Sequence, residues 1–175
     1  MLSFLVDQGA ALDSVTECGC TVVECAVGEK ENVEYLLSLG APIGRNSLFV
    51  AAKSTGVDIL TILVNHGAAL DGVDKDGDTV VECALLGGRK ENAEYLLNLS
   101  APLGKTALAC AVFSADYSDE YSHETQGEEI LALVRLVMSK DPAIIDEKRN
   151  GRTAREFAVA CGYQSVVELL DSGAR

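Results

Sequence analysis

Two histidines and six cysteines are the side chains in this 175-residue chain best suited to act as nucleophiles, bases or soft metal ligands near neutral pH. His66 stands just before Gly67 where a helical pattern stops. A cation there faces the last free carbonyls of a helix, so its role reads as structural. His123 lies in the polar run 114–128 with Asp116, Asp119, Glu120 and Glu124. That spacing matches no ligand pattern of defined geometry, and a plain acidic loop accounts for it. Cys18 and Cys20 flank Gly19 and are the only close thiol pair; a zinc site needs two further ligands, and no second Cys or His pair supplies them. Cys25, Cys83, Cys110 and Cys161 fall in apolar helical patterns, which reads as buried, reduced thiols that serve packing. The chain has no phosphate-cradling glycine loop with a lysine, no nucleophile elbow, and no Ser or Cys with a matching His and acid. The expectation is a protein that is not an enzyme and takes no cofactor and no metal.

Composition narrows the partners. The chain carries 14 Lys plus Arg against 27 Asp plus Glu, a formal net charge of −13. Nucleic acid and anionic membrane surfaces attract basic patches, so both are disfavoured. A partner with a basic surface would be drawn in, although an acidic surface also serves solubility alone. No apolar run approaches the ~18 residues of a membrane span, and residues 1–11 lack a basic leader region. With reduced cysteines, this points to an intracellular, chiefly cytoplasmic protein, with the nucleus as the alternative. Aromatics make up only 5% of residues with no Trp, so the core must be closely packed Ala, Val, Leu, Ile and Cys.

What must position any functional side chains is a repeat. Gly67-Ala68-Ala69-Leu70-Asp71 repeats Gly9-Ala10-Ala11-Leu12-Asp13, 58 residues apart (9 to 67), and Thr79-Val80-Val81-Glu82-Cys83-Ala84 repeats Thr21-Val22-Val23-Glu24-Cys25-Ala26 at the same offset. The match then resumes 60 apart (30 to 90), with Lys30-Glu31-Asn32 returning as Lys90-Glu91-Asn92 and Ala41-Pro42-Ile43-Gly44 as Ala101-Pro102-Leu103-Gly104. Each unit divides into helical hairpins. Val80 to Leu86 reads as a short helix, Gly87-Gly88 as a turn, and Glu91 to Leu99 as a second helix with Ala93, Leu96 and Leu97 at helical spacing. One such hairpin cannot bury its own apolar face, so the units must share a core with their neighbours. Thr21, Thr79, Thr106 and Thr153 are placed to accept from the free N–H groups of the helix starts.

These residues resemble the ankyrin repeat. Asp74-Lys75-Asp76-Gly77-Asp78-Thr79 with Ala84 and Tyr95-Leu96-Leu97 fits one copy. Asn150-Gly151-Arg152-Thr153-Ala154, Ala158, Gly162, Val166-Val167-Glu168-Leu169-Leu170 and Gly173-Ala174 fit the last. The family's Thr-Pro-Leu-His helix start has become Thr-Val-Val-Glu at residues 21–24 and 79–82, and Thr-Ala-Arg-Glu at 153–156. The resemblance implies an all-α, ankyrin-repeat solenoid of helix-turn-helix units with β-hairpin fingers, as a single domain over 1–175. Its units are a partial repeat at 1–13 and repeats at about 14–43, 44–70, 71–103, 104–144 and 145–175. Long fingers are expected near 14–20, 72–78 and 147–152, with blunt junctions at 40–44 and 100–104, where Pro42 and Pro102 cannot donate to a hairpin ladder. Residues 114–128 read as an inserted loop, either plainly solvated or a contact loop through Tyr117 and Tyr121.

The resemblance further implies a non-catalytic interaction module or scaffold that binds a partner protein through finger tips and the exposed face of each first helix. Carried over residue by residue, those positions are Glu17, Cys18, Cys20, Lys75, Asp76, Asp78, Leu86, Arg149, Asn150 and Arg152. The shorter copies add Arg45, Lys53, Ser54 and Phe113. The alternative is a structural segment of a larger assembly, docked through its N-terminal end, where residues 1–9 read as a second helix lacking its first. Arg155 replaces an apolar motif position, as expected of a C-terminal cap. The residues set no oligomeric state.

Overall fold

A computed structural model describes residues 8–113 and 123–173, the side chains of 123–126 excepted. Residues 1–7, Tyr117, Tyr121 and the acidic residues Asp116, Asp119 and Glu120 therefore lie outside the described residues, as do the side chains of His123 and Glu124.

Within the described residues the chain is mostly helical. The helices are α1 (Val22–Ala26), α2 (Lys30–Ser38), α3 (Ser47–Ser54), α4 (Val57–Asn65), α5 (Val80–Leu86), α6 (Lys90–Asn98), α7 (Ala107–Phe113), α8 (His123–Lys140), α9 (Ala154–Cys161) and α10 (Gln164–Gly173). A 3-10 turn, Pro142–Asp146, leads into the antiparallel pair β1 (Lys148–Arg149) and β2 (Arg152–Thr153). Successive helices pair as hairpins. The odd-numbered helices touch one another in chain order, as do the even-numbered ones, giving two rows. The short helices are packed by small side chains: all seven residues of α5 and six of the seven in α7 are buried. Such close rows leave little room for a Cβ. One placed on Gly87 would stand 2.0 Å from the Lys53 carbonyl oxygen.

The helix starts explain why units of this length form at all. Thr21, Thr79 and Thr153 each accept from the N–H of a glutamate three residues on, while that glutamate accepts from the threonine N–H, a reciprocal cap that satisfies two orphan donors. Thr106 departs from the expected cap. Ala109 stands where the glutamate would be, and the Thr106 hydroxyl donates instead to Glu82 Oε1 of the preceding unit at 2.7 Å.

Two of these glutamates do a second job. Glu82 accepts from Thr79 N–H with Oε2 (2.9 Å) and from Thr106 N–H with Oε1 (2.8 Å). Glu24 does the same with Thr21 N–H (2.7 Å) and Asn46 N–H (2.6 Å). The following chain must pass so close that a Cβ on Gly44 or Gly104 would stand 2.2 Å from the carboxyl carbon of Glu24 or Glu82. This approach fits the absence of strand pairing at 40–44 and 100–104, whereas Val15 pairs with Thr21 and Val73 with Thr79 as short antiparallel fingers.

Two expectations need correction. The polar run 114–128 is not loop throughout, because α8 already starts at His123; Glu and Gln in that stretch are good helix formers whatever their polarity. Cys25 is not in the core. Cys83 and Cys110 are buried, but Cys25 is exposed and Cys18, Cys20 and Cys161 are exposed or half-buried. The reason is position in the row: α5 is covered by α3 on one side and α7 on the other, whereas α1 has α3 alone among the described residues.

Replacing Glu82 by Ala strands the donors of Thr79 and Thr106 in a buried place, and is expected to cost about 2–4 kcal/mol in urea unfolding. Glu156→Ala removes only a cap and should cost clearly less. Equal midpoints for the two variants would refute the bridging role.

Candidate functional site

The second and third fingers stand on either side of the blunt junction at 100–104, and between them lies a cleft of about 810 Å³. It is lined by Asp76, Asp78 and Thr79 from the second finger, Glu82 of α5, Lys105 and Thr106 just before α7, Phe113 of α7, and Lys148, Arg149 and Asn150 from the third finger. The third finger turns at Asn150 and Gly151, with φ of 51° and 80°, the paired left-handed conformation of a tight hairpin.

From that hairpin Arg149 reaches back across the cleft. Its Nη1 donates to Asp78 Oδ1 and its Nη2 to Asp78 Oδ2 at 2.7 Å, a forked pair of charge-assisted bonds. Nη1 also lies 3.3 Å from Thr106 Oγ1 and 3.3 Å from Cys110 Sγ. Asp78 is aimed inward by its own turn: Asp74 Oδ1 accepts from the N–H groups of both Asp76 and Asp78 at 2.9 Å, folding the finger tip around its first aspartate. Asp78 and Arg149 side chains are 6% and 18% exposed, so the pair is held largely away from water.

The electrostatics follow. Asp78 hydrogen bonding outweighs burial and raises the Arg149 pKa, keeping the guanidinium charged at any working pH. Burial pushes the Cys110 thiol up to about 12, and burial, then the Asp74 charge, raises Cys83 as well. Both are protonated near neutrality and are poor nucleophiles and poor ligands. Asp78, Glu82 and Cys110 present ligand atoms within 4.8 Å of one another. The cation they face is the Arg149 guanidinium, which is paired with Asp78, while Glu82 is held by the Thr79 and Thr106 donors.

The Asp78–Arg149 link divides the larger cleft from a hollow of about 150 Å³ lined by Lys53, Asp74, Asp76, Asp78, Cys83, Leu86, Phe113 and Arg149. Six of the residues singled out in the sequence thus share one hollow: Lys53, Asp76, Asp78, Leu86, Phe113 and Arg149. Their exposure differs. Lys53, Ser54, Lys75, Asp76, Asn150 and Arg152 are exposed, whereas Asp78 and Leu86 are buried and Phe113 and Arg149 half-buried. Asp78 and Leu86 therefore depart from the exposed positions expected of them: Arg149 claims the first, and the flanking helices cover the second. Phe113 packs edge-on against Phe157, with ring centroids 5.5 Å apart, and offers the cleft only part of its ring. Glu17, Cys18 and Cys20 stand apart on the first finger, and Arg45 is exposed at the other blunt junction. His66 is a helix cap, its Nδ1–H donating to the Ile62 carbonyl at 2.8 Å. Arg155 is exposed and forked onto Asp171.

Sequence reasoning missed Glu82 and Thr106 as the floor and Lys105 and Lys148 as the rim. Glu82 had a signal, the same glutamate at each Thr-x-x-Glu helix start. The rim lysines had none.

Paired helices in two rows, with short antiparallel fingers between pairs, define a protein built from repeated helical hairpins. The family model described as Ankyrin repeats (many copies) matches residues 48–97, from α3 to α6, which supports an ankyrin-repeat protein. Ankyrin repeats are in general protein–protein interaction modules and are typically non-catalytic. No helix among the described residues is long and apolar enough to cross a membrane.

Truncating Arg149 to Ala leaves the Asp78 carboxylate buried without its cation, and should lower stability by about 2–4 kcal/mol. Arg149→Lys keeps the charge but loses the fork and should recover only part of it. Adding Asp78→Ala to Arg149→Ala should cost less than the sum of the single changes. An additive double variant in thermal unfolding would show that the two groups act separately.

Proposed function

We propose that the chain is an ankyrin solenoid with a partial repeat at 1–13 and repeats at about 14–43, 44–70, 71–103, 104–144 and 145–175. It binds another protein, without catalysis, through its fingers and odd-numbered helices. The observation that carries this reading is the cleft over the second blunt junction. Its floor of Asp78, Glu82, Thr106 and Arg149 is locked by internal hydrogen bonds, while Asp76, Lys105, Lys148 and Asn150 on its rim are exposed. A surface so pre-organised loses little conformational freedom when a partner docks.

In this reading the rim residues, with Lys75 and Arg152, make polar contacts and Phe113 is the apolar anchor. Glu17, Cys18, Cys20, Arg45, Lys53 and Ser54 extend the surface, and Tyr117 and Tyr121 add contacts from the segment between α7 and α8. Asp78, Leu86 and Arg149 support the surface from beneath. The net charge of −13 draws a basic partner over long range, while Lys105 and Lys148 ask for acidic groups at the cleft itself. Six free cysteines suit a reducing, cytoplasmic setting.

Partner capture from the native source should fall at least about tenfold for the Asp76→Lys/Lys148→Glu double variant, on the scale of lost charged contacts. Glu34→Lys/Glu91→Lys, on the exposed face of the even-numbered helices, should leave it unchanged. The reverse pattern would move the binding surface to the other row.

A second reading, a segment docked through its N-terminal end, is favoured by one comparison between the duplicated units. Asn92 is buried and donates to the carbonyls of Ala52 (3.0 Å) and Thr55 (2.8 Å) at the end of α3. Asn32, its counterpart, is exposed beside an apolar hollow of about 410 Å³ lined by Val22, Cys25, Ala26 and Leu36. In this reading a helix end like that of α3 covers the face. Amides of α1 should then exchange much faster than those of α5 in the isolated chain; equal protection would remove the support.

A further inference from the structure

In the proposed surface Cys18 and Cys20 of the first finger count only as contact area, but the geometry of their thiols carries a chemistry of its own. The finger's turn is closed by the Val15–Thr21 bridge, by Thr16 N–H donating to the Cys20 carbonyl (2.9 Å), and by Gly19 N–H donating to the Thr16 carbonyl (2.8 Å). These bonds set Cys18 and Cys20 side by side, with their sulfurs 3.4 Å apart. A disulfide needs about 2.0 Å, so the sulfurs must approach by only ~1.4 Å. Between them Gly19 stands at φ +82°, with open space where a side chain would be. Cys18 is exposed to small reagents.

Thr16 makes the two thiols unequal. Its hydroxyl oxygen accepts from Cys20 N–H at 3.1 Å, leaving the hydroxyl proton free to donate to Cys18 Sγ, 2.9 Å away. We propose that Cys18 and Cys20 form a redox-active dithiol that closes to a disulfide by exchange with a low-molecular-weight disulfide such as glutathione disulfide.

Thr16, then the Cys20 thiol, lowers the Cys18 pKa, while Cys20 is raised by its neighbour, so Cys18 is the attacking sulfur and Cys20 the resolving one. The Cys18 thiolate attacks one sulfur of glutathione disulfide. That S–S bond breaks, and one glutathione thiolate leaves and takes a proton. Cys20 then gives its proton to solvent and attacks the Cys18 sulfur, expelling the second glutathione. Two cysteine thiols are oxidised, one glutathione disulfide is reduced to two thiols, and no other oxidant is needed. Cys83 and Cys110 stay out of this chemistry because they are buried and held protonated. The inference does not depend on the binding surface proposed above.

The test is to equilibrate the full chain in glutathione/glutathione disulfide buffers, quench with acid, alkylate, and read the peptides by mass spectrometry. The peptide holding Cys18 and Cys20 should lose two hydrogens and escape alkylation as the buffer becomes oxidising, while Cys83 and Cys110 alkylate after denaturation. Cys20→Ser should arrest with glutathione on Cys18. Cys18→Ser should form its adduct at Cys20 at least about tenfold more slowly, as the better-stabilised thiolate is lost. Independent alkylation of both thiols in every buffer would overturn the proposal. So would a glutathione adduct that persists in the unaltered chain, or closure onto Cys25 in place of Cys18.

Discussion

The Glu82 carboxylate lies between the starts of two helices, one oxygen on the Thr79 N–H and the other on the N–H and hydroxyl of Thr106. A charged acceptor with its donors fixed on both sides sets how far apart successive helix starts can be. It also dictates what cannot be there: a side chain at 104 would strike it, and the chain between α6 and α7 is drawn in tight. The missing finger at that junction opens the cleft, and the floor of the cleft is this same carboxylate with the groups that neutralise it. Fold and candidate site are therefore consequences of one hydrogen-bonding arrangement, repeated at Glu24 with Asn46.

The duplication gives the molecule an internal comparison. Thr-Val-Val-Glu-Cys-Ala occurs in α1 and in α5 with the same cap geometry, yet α5 is wholly buried and α1 presents Cys25 to solvent. The six residues and their caps are the same, and α5 runs two residues longer. The neighbours differ, which is the expected behaviour of a chain whose stability is a sum of units and the contacts between adjacent units. The thiols follow: Cys83 and Cys110 are buried inside the row, Cys161 at the end of α9 is half-buried, and Cys18 and Cys25 at the first finger and first helix are exposed.

Much of the fold was legible in the sequence because helical period, threonine caps and paired glycines act within a few residues of themselves. Val80 to Leu86 and the Gly87-Gly88 turn are read directly from those signals, as are the three fingers and the two shortened junctions. What was not legible depends on residues far apart in the chain. Asp78 sits in a turn of tip-like composition that aims it inward, and the partner that covers it there, Arg149, lies 71 residues on. Leu86 has the spacing of an exposed groove position, and the flanking helices bury it. The start of α8 is hidden for a different reason: its polar composition resembles that of a loop, although glutamate and glutamine favour helix when not buried.

The Arg149–Asp78 link joins the second finger to the third and passes over α7, which lies between them in the row. Arrays of helical hairpins couple each member to the one beside it, and such chains fray from their ends one member at a time. A strap that skips a member ties the fate of non-adjacent parts together. Loss of the third finger breaks its bond to the second, and this link favours joint over stepwise loss of the units it spans.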